Sequence, residues 1–284
     1  MVSTASILCM AASALVGIGV PIALVFIVRR RTKFNYVALV TGAVVFAVFA
    51  LALESAAHRV VLAPGSASYG FLISNPFLYA LYGGLMAGIF EETGRLVGFK
   101  LIRRTDKGVG TALSYGIGHG GAESILLLGV TMISSLVLVL TTGQAGAGAA
   151  NSPQTAATLA SLAATPPTMF LVGAFERILA LSVQISLSVI VWLAATNRKP
   201  FYLFFVAILL HLAVDYSAGL YQTGLLKNVW LVEGITAIWA ILLPILARAL
   251  YKGWKASQPT EEKSSNLLPV EEAPGEPAEA PKNT

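Results

Sequence analysis

Ser114-Tyr115-Gly116-Ile117-Gly118-His119-Gly120-Gly121-Ala122-Glu123 lies inside an apolar run from about 109 to 140. A helix needs about 20 apolar residues to cross a bilayer, so this run is long enough. His119 and Glu123, four residues apart, share one face of such a helix. An ionisable side chain inside a membrane is costly, and by default it marks a functional site. Glycines at 116, 118, 120 and 121 strip side chains from the turns around His119, so a neighbouring backbone can approach closely. The stretch speaks to chemistry and is nearly silent about substrate.

The rest of the chain has the composition of a membrane protein. Its 284 residues are 56% hydrophobic and 12% charged, with a mean hydropathy of +0.75. Soluble domains carry about 25% charged residues. Apolar runs fall at about 5–28, 36–63, 77–102, 109–140, 169–195, 201–220 and 229–251, which makes seven spans. No basic segment precedes the first run, and it is longer than a signal-peptide core, so it reads as retained. The fourth is long, and is expected to be tilted or broken at its glycines. A charge-free stretch at 141–167, rich in small residues, follows it and is expected to hold an interfacial helix at 154–163. From 257 the chain is rich in Pro, Glu and Ala and holds six of the fourteen acids, a composition that cannot bury enough apolar surface to order itself. The expected organisation is a transmembrane helical domain at 1–256 and a disordered tail at 257–284.

Basic residues follow spans one, three, five and seven: Arg29, Arg30, Arg31 and Lys33, then Lys100, Arg103, Arg104 and Lys107, then Arg198 and Lys199, then Lys252 and Lys255. The opposite loops hold little beyond Lys227, with Arg59 near the edge. By the positive-inside rule the N-terminus is outside and the C-terminus cytoplasmic. The expected fold is an all-α, polytopic bundle of about seven spans in the cell membrane, with the lipid bilayer as its surroundings. The net charge of +5 is thereby explained as topology and makes no case for nucleic acid. The single cysteine, Cys9, excludes an intrachain disulfide and a cysteine zinc cage.

Depth brings the buried polar groups together. Glu91 precedes Lys100 by nine residues, while His119 follows Lys107, and His211 follows Lys199, by twelve. At 1.5 Å per residue these lie about 14, 18 and 18 Å from the inner boundary. Unrelated structural polar residues would scatter in depth. Glu54, His58, Glu176 and Arg177 lie further out and read as a structural bridge, with Arg177 pairing with Glu54 or Glu176. Gly84-x-x-x-Gly88 and Gly116-x-x-x-Gly120 are expected to press the third span against the fourth.

Within the shared layer each span places groups on one helix face: Glu91, Glu92 and Arg95; His119 and Glu123; His211 and Asp215. Two imidazoles with carboxylates can hold a divalent metal, zinc included, or a water, and a carboxylate can then act as general base. His119, His211 and Glu123 are the candidate metal ligands. Glu91, Glu92, His119, His211 and Asp215 are the candidate catalytic residues, supported by Arg95 and Glu123. Arg95 would hold one glutamate as the anion and leave the other free to take a proton. Other intramembrane chemistries fit badly. There is no His-Glu-x-x-His zinc helix and no Gly-x-Ser-Gly nucleophile, and Asp215 is the only aspartate within a span.

Glu91-Glu92-x-x-Arg95, then His119, then His211-x-x-x-Asp215 resembles the three-motif pattern of the CAAX-protease and bacteriocin-processing superfamily of intramembrane proteases. Within it the chain is similar to the YhfC group of membrane peptidases, with His119-x-x-x-Glu123 as the second motif. The resemblance spans roughly 80–220, and motif order follows span order. It departs from the superfamily in having two residues rather than three between Glu92 and Arg95, and Asp215 where Asn is usual. The resemblance implies that Glu91 activates water, that His119 and His211 orient it or bind metal, and that Asp215 stands where a transition-state stabiliser would. An ionised Asp215 cannot donate to an oxyanion, so it must be protonated or serve as a ligand.

The sequence therefore points to a peptidase that hydrolyses a peptide bond in a membrane protein or peptide, with water reaching the site from the cytoplasm. The rival reading is a secondary transporter or a proton or cation relay built on the same Glu, His and Asp residues. A weaker third is a membrane scaffold that recruits a partner through its acidic tail.

Overall fold

The structure is a computed structural model that describes residues 2–145, 152–196 and 199–258. Its elements are α1 (Thr4–Arg31), α2 (Tyr36–Val45), a π-helical segment (Phe46–Glu54), α3 (Ser55–Val61), α4 (Ala67–Ile73), α5 (Pro76–Leu101), α6 (Val109–Ser124), a second π-helical segment (Ile125–Val130), α7 (Thr131–Ala145), α8 (Pro153–Ala164), α9 (Pro167–Thr196), α10 (Leu203–Gln222) and α11 (Val229–Ala256), with short 3-10 turns before α6 and α10. No strand occurs among the described residues, only an isolated bridge between Lys107 and Val109. In lipid a backbone must satisfy its polar groups internally, and helices do so.

Six helices or helix runs are long and apolar enough to cross a membrane, and a seventh is reached if α4 and α5, bent by 113°, count as one span. Local chemistry sets the boundaries. Asn75 caps α5 by accepting from the Leu78 amide, with Pro76 in the first turn, where its missing N–H costs nothing. Asn35 caps α2 in the same way, while its amide group donates to the Thr105 carbonyl at 2.7 Å. Trp192 donates to Asp106 at 3.2 Å. The α1–α2 turn, the α5–α6 loop and the last turns of α9 thus share one end of the bundle, here called the basic end.

The fourth span is interrupted, but past the glycines that flank His119, in a turn that contains Gly129. The α-helix persists through His119 and Glu123, and the π-helical turn comes just after them at Ile125–Val130. The expected interfacial helix is α8. The last described helix, α11, ends at Ala256. The expected tail lies almost wholly outside the described residues, as does Arg198.

The glycine faces also meet partners other than those expected. A Cβ on Gly88 would lie 2.8 Å from the Ile208 carbonyl oxygen, and one on Gly84 would lie 2.9 Å from Leu212, so α5 presses on α10. A Cβ on Gly116 would come 2.6 Å from the Ile185 Cα, and one on Gly120 would come 2.8 Å from the Gln184 Cβ, which seats α6 on α9. The other face of α6 packs on α2, where Gly42 and Gly118 let the two backbones touch. The motifs are contact surfaces as expected. However, α5 and α6 each use theirs against a third helix. Hydroxyl-to-carbonyl bonds tie further pairs: Ser13 to Phe170 at 2.7 Å, Ser124 to Gly17 at 2.9 Å and Ser182 to Ala240 at 2.8 Å. α9 lies at the centre, against α1, α5, α6 and α10.

Candidate functional site

The site is built at the meeting of α5, α6, α9 and α10. Helical spacing turns Glu91, Glu92 and Arg95 of α5 inward, and all three are buried, Glu92 and Arg95 completely. His119 is fully buried on α6 because glycines flank it and let α2 and α9 close over it. Phe46 meets its ring edge-on with centroids 5.3 Å apart, and Tyr115 stacks on it at 6.3 Å.

One carboxylate oxygen gathers most of the donors. Glu91 Oε2 is 2.9 Å from His119 Nε2, 3.1 Å from Gln184 Nε2 and 3.3 Å from Arg95 Nη2. Among the described residues no donor reaches Glu91 Oε1. Glu92 is bound differently: its Oε1 accepts from Arg95 and, at 2.6 Å, from His211 Nδ1. The other ring nitrogen of His211 stands 3.4 Å from Asp215 Oδ2. Three buried atoms in this layer have no partner: Glu92 Oε2, Arg95 Nε and His119 Nδ1.

The layer continues into a ring of charge further from the basic end. Gln184 donates to Glu123 Oε2 at 2.6 Å, and Arg177 Nη1 donates to Glu123 Oε1 at 2.6 Å while also binding Glu176. Arg177 therefore pairs with Glu176, as one expected alternative had it, and with Glu123. Glu54 pairs with His58 at 3.2 Å. Gln184 went unread in the sequence, yet it joins Arg95, Glu91 and Glu123. The signal was there, since an amide in the middle of an apolar span must find a partner in lipid.

A cavity of about 280 Å³ lies beside the cluster, lined by Glu91, His211 and Asp215 among others. It extends between α9, α10 and α11 to Tyr221, Gln222 and Val229, at the end of the bundle opposite the basic one. A second cavity of about 450 Å³, lined by Glu54, His58 and Tyr82, shares Glu123, Glu176, Arg177 and Asp215 with the first. Water was expected from the basic, cytoplasmic side. The cavities instead reach the opposite end.

The expected metal ligands do not surround one point. Glu123 is held by Arg177 and Gln184, His211 by Glu92 and Asp215, and His119 by Glu91. Among the described residues no group of three or more His, Cys, Asp or Glu side chains is placed to hold a metal ion. The donor types suit zinc, but their arrangement does not.

An all-α multi-pass membrane protein with a buried Glu/His/Arg layer defines the class. Residues 13–236 match the family described as "YhfC intramembrane metalloprotease", and the chain belongs to that family. It is 34% identical over 247 residues to "Uncharacterized membrane protein YhfC" of Bacillus subtilis (strain 168), covering 85% of this chain and 95% of the relative. No solved structure matches it.

Proposed function

We propose that the protein hydrolyses a peptide bond of a membrane-embedded protein or peptide, with Glu91 as general base. One observation carries this: three donors crowd Glu91 Oε2, while Oε1 of the same cavity-lining carboxylate has none. That leaves an acceptor for water on a group whose orientation is already fixed. Glu92 makes a poorer base, because it is fully buried and is bound by Arg95 and His211. Its part is to place His211.

Glu91 takes a proton from water as the oxygen attacks the carbonyl carbon. It returns that proton to the amine as the C–N bond breaks. His119, Arg95 and Gln184 hold the carboxylate in position. An ionised Asp215 cannot donate to the oxyanion, and the two ring nitrogens of the cavity-lining His211 are already directed at Glu92 and Asp215. Asp215 instead accepts from the His211 ring and aims it. The family's name implies a divalent metal, whereas the candidate ligands His119, His211 and Glu123 are each bound to other side chains. Metal analysis of purified wild type against His119→Ala tests that implication separately.

Peptide products in membranes bearing wild type are to be compared by mass spectrometry with those bearing Glu91→Gln. Products with fixed ends that appear only with wild type support hydrolysis. Identical product sets, with an ion flux that Glu91→Gln abolishes, would overturn it in favour of transport.

A further inference from the structure

We propose that Glu233 forms a subsite for a cationic group, the ammonium or guanidinium of a substrate side chain, beside Glu91 in the same cavity. Glu233 of α11 is only 5% exposed, and its Oε2 has no hydrogen-bond partner. It lines the cavity of about 280 Å³ together with Glu91, Glu123, Glu176, Arg177 and Asp215. That lining carries five carboxylates. Arg177 is its one Lys or Arg, and Arg177 is already bound to Glu123 and Glu176. His211 is likewise held between Glu92 and Asp215. The charged groups that act on Glu233 are Glu176 and Arg177, and neither bonds to it.

A buried acceptor left unpaired is costly, more so inside a membrane. Here the residue that carries it lines the cavity. A charge-assisted N–H donor from a ligand would satisfy it at short range. Ligand pockets run to about 300–1,000 Å³, so this one suits a single side chain better than a whole cofactor. The placement also suits a membrane substrate. Lys and Arg at the ends of transmembrane helices extend their stems along apolar surface to reach polar ground, and Glu233 lies just inside the α11 end away from the basic face. The assignment rests on the hydrolase reading only in calling the ligand a substrate.

The full-length protein in lipid nanodiscs is titrated with three labelled apolar helical peptides that differ at one terminal residue: Lys, norleucine or Glu. We expect the Lys peptide to bind at least tenfold tighter than the norleucine peptide, the Glu peptide to bind weakest, and Glu233→Gln to bring the first two within twofold. In wild type, modification of Glu233 by dicyclohexylcarbodiimide, followed by mass spectrometry, should be suppressed by the Lys peptide alone. This readout needs no variant to fold. Equal affinities, or labelling unaffected by the Lys peptide, overturn the subsite. Protection by spermidine equal to that by the Lys peptide overturns the side-chain assignment in favour of free amines. Neither readout needs cleavage. A Lys preference without peptide products leaves the subsite standing and sinks the peptidase reading, and products without the preference do the reverse.

Discussion

Glu91 and Glu92 are adjacent in sequence and differ in almost everything else. One borders a cavity with an oxygen to spare, and the other is sealed between Arg95 and His211. Substituting them should therefore give different failures. Glu91→Gln should lower cleavage by about 10²–10⁴-fold, the usual worth of a positioned base, and leave thermal unfolding in detergent nearly unchanged. A matching fall in unfolding temperature would make it structural. Arg95→Met should instead destabilise the fold by about 3–5 kcal/mol, because it strands two buried carboxylates. An unchanged unfolding midpoint would show that those carboxylates are neutral. Gln184→Leu should cut turnover on the order of tenfold by removing one donor to Glu91. Much of this layer was legible in the sequence, since counting from the basic stops put Glu91, His119 and His211 at one depth. Gln184 was not, because an uncharged side chain gives no alarm in a charge count. The partner of Glu123 was not legible either, because spacing reports shared faces and cannot show that Arg177 reaches it from another helix.

At the level of helices, the glycine motifs announced close contact without naming the partner. A missing side chain invites any neighbour, so expecting α5 against α6 was no better grounded than α5 against α10. Gly120→Leu should drive α6 off Gln184 and abolish cleavage together with stability, as an added side chain in a packed interface costs about 1–3 kcal/mol or more. Gly19→Leu, with open space around it, should be silent in the same melting assay. Equal tolerance at the two positions would refute the packing described. The number of spans was legible from apolar length alone. The π-helical segments were not, since nothing in composition separates them from ordinary turns.

For the whole molecule, the distribution of Lys and Arg predicts that the basic end faces the cytoplasm, and a labelling experiment can check this. In a Cys9→Ser background, Ser66→Cys should react with an impermeant maleimide on intact cells and Thr105→Cys only after lysis. The reverse pattern would invert the protein and bring its cavities to the cytoplasm.

The 113° bend between α4 and α5 bears on how such a protein would choose where to cut. α4 has no buried residue, and Phe71 and Ile73 project from it. A short apolar helix bent away from its span in this way would float where headgroups meet acyl chains. α5 hangs from that float, and Glu91 lies fifteen residues below Pro76, about 22 Å down. The float fixes height as a cork fixes a fishing line. A polypeptide threading past would be severed at a set distance from the membrane surface, by ruler before it is read by letter.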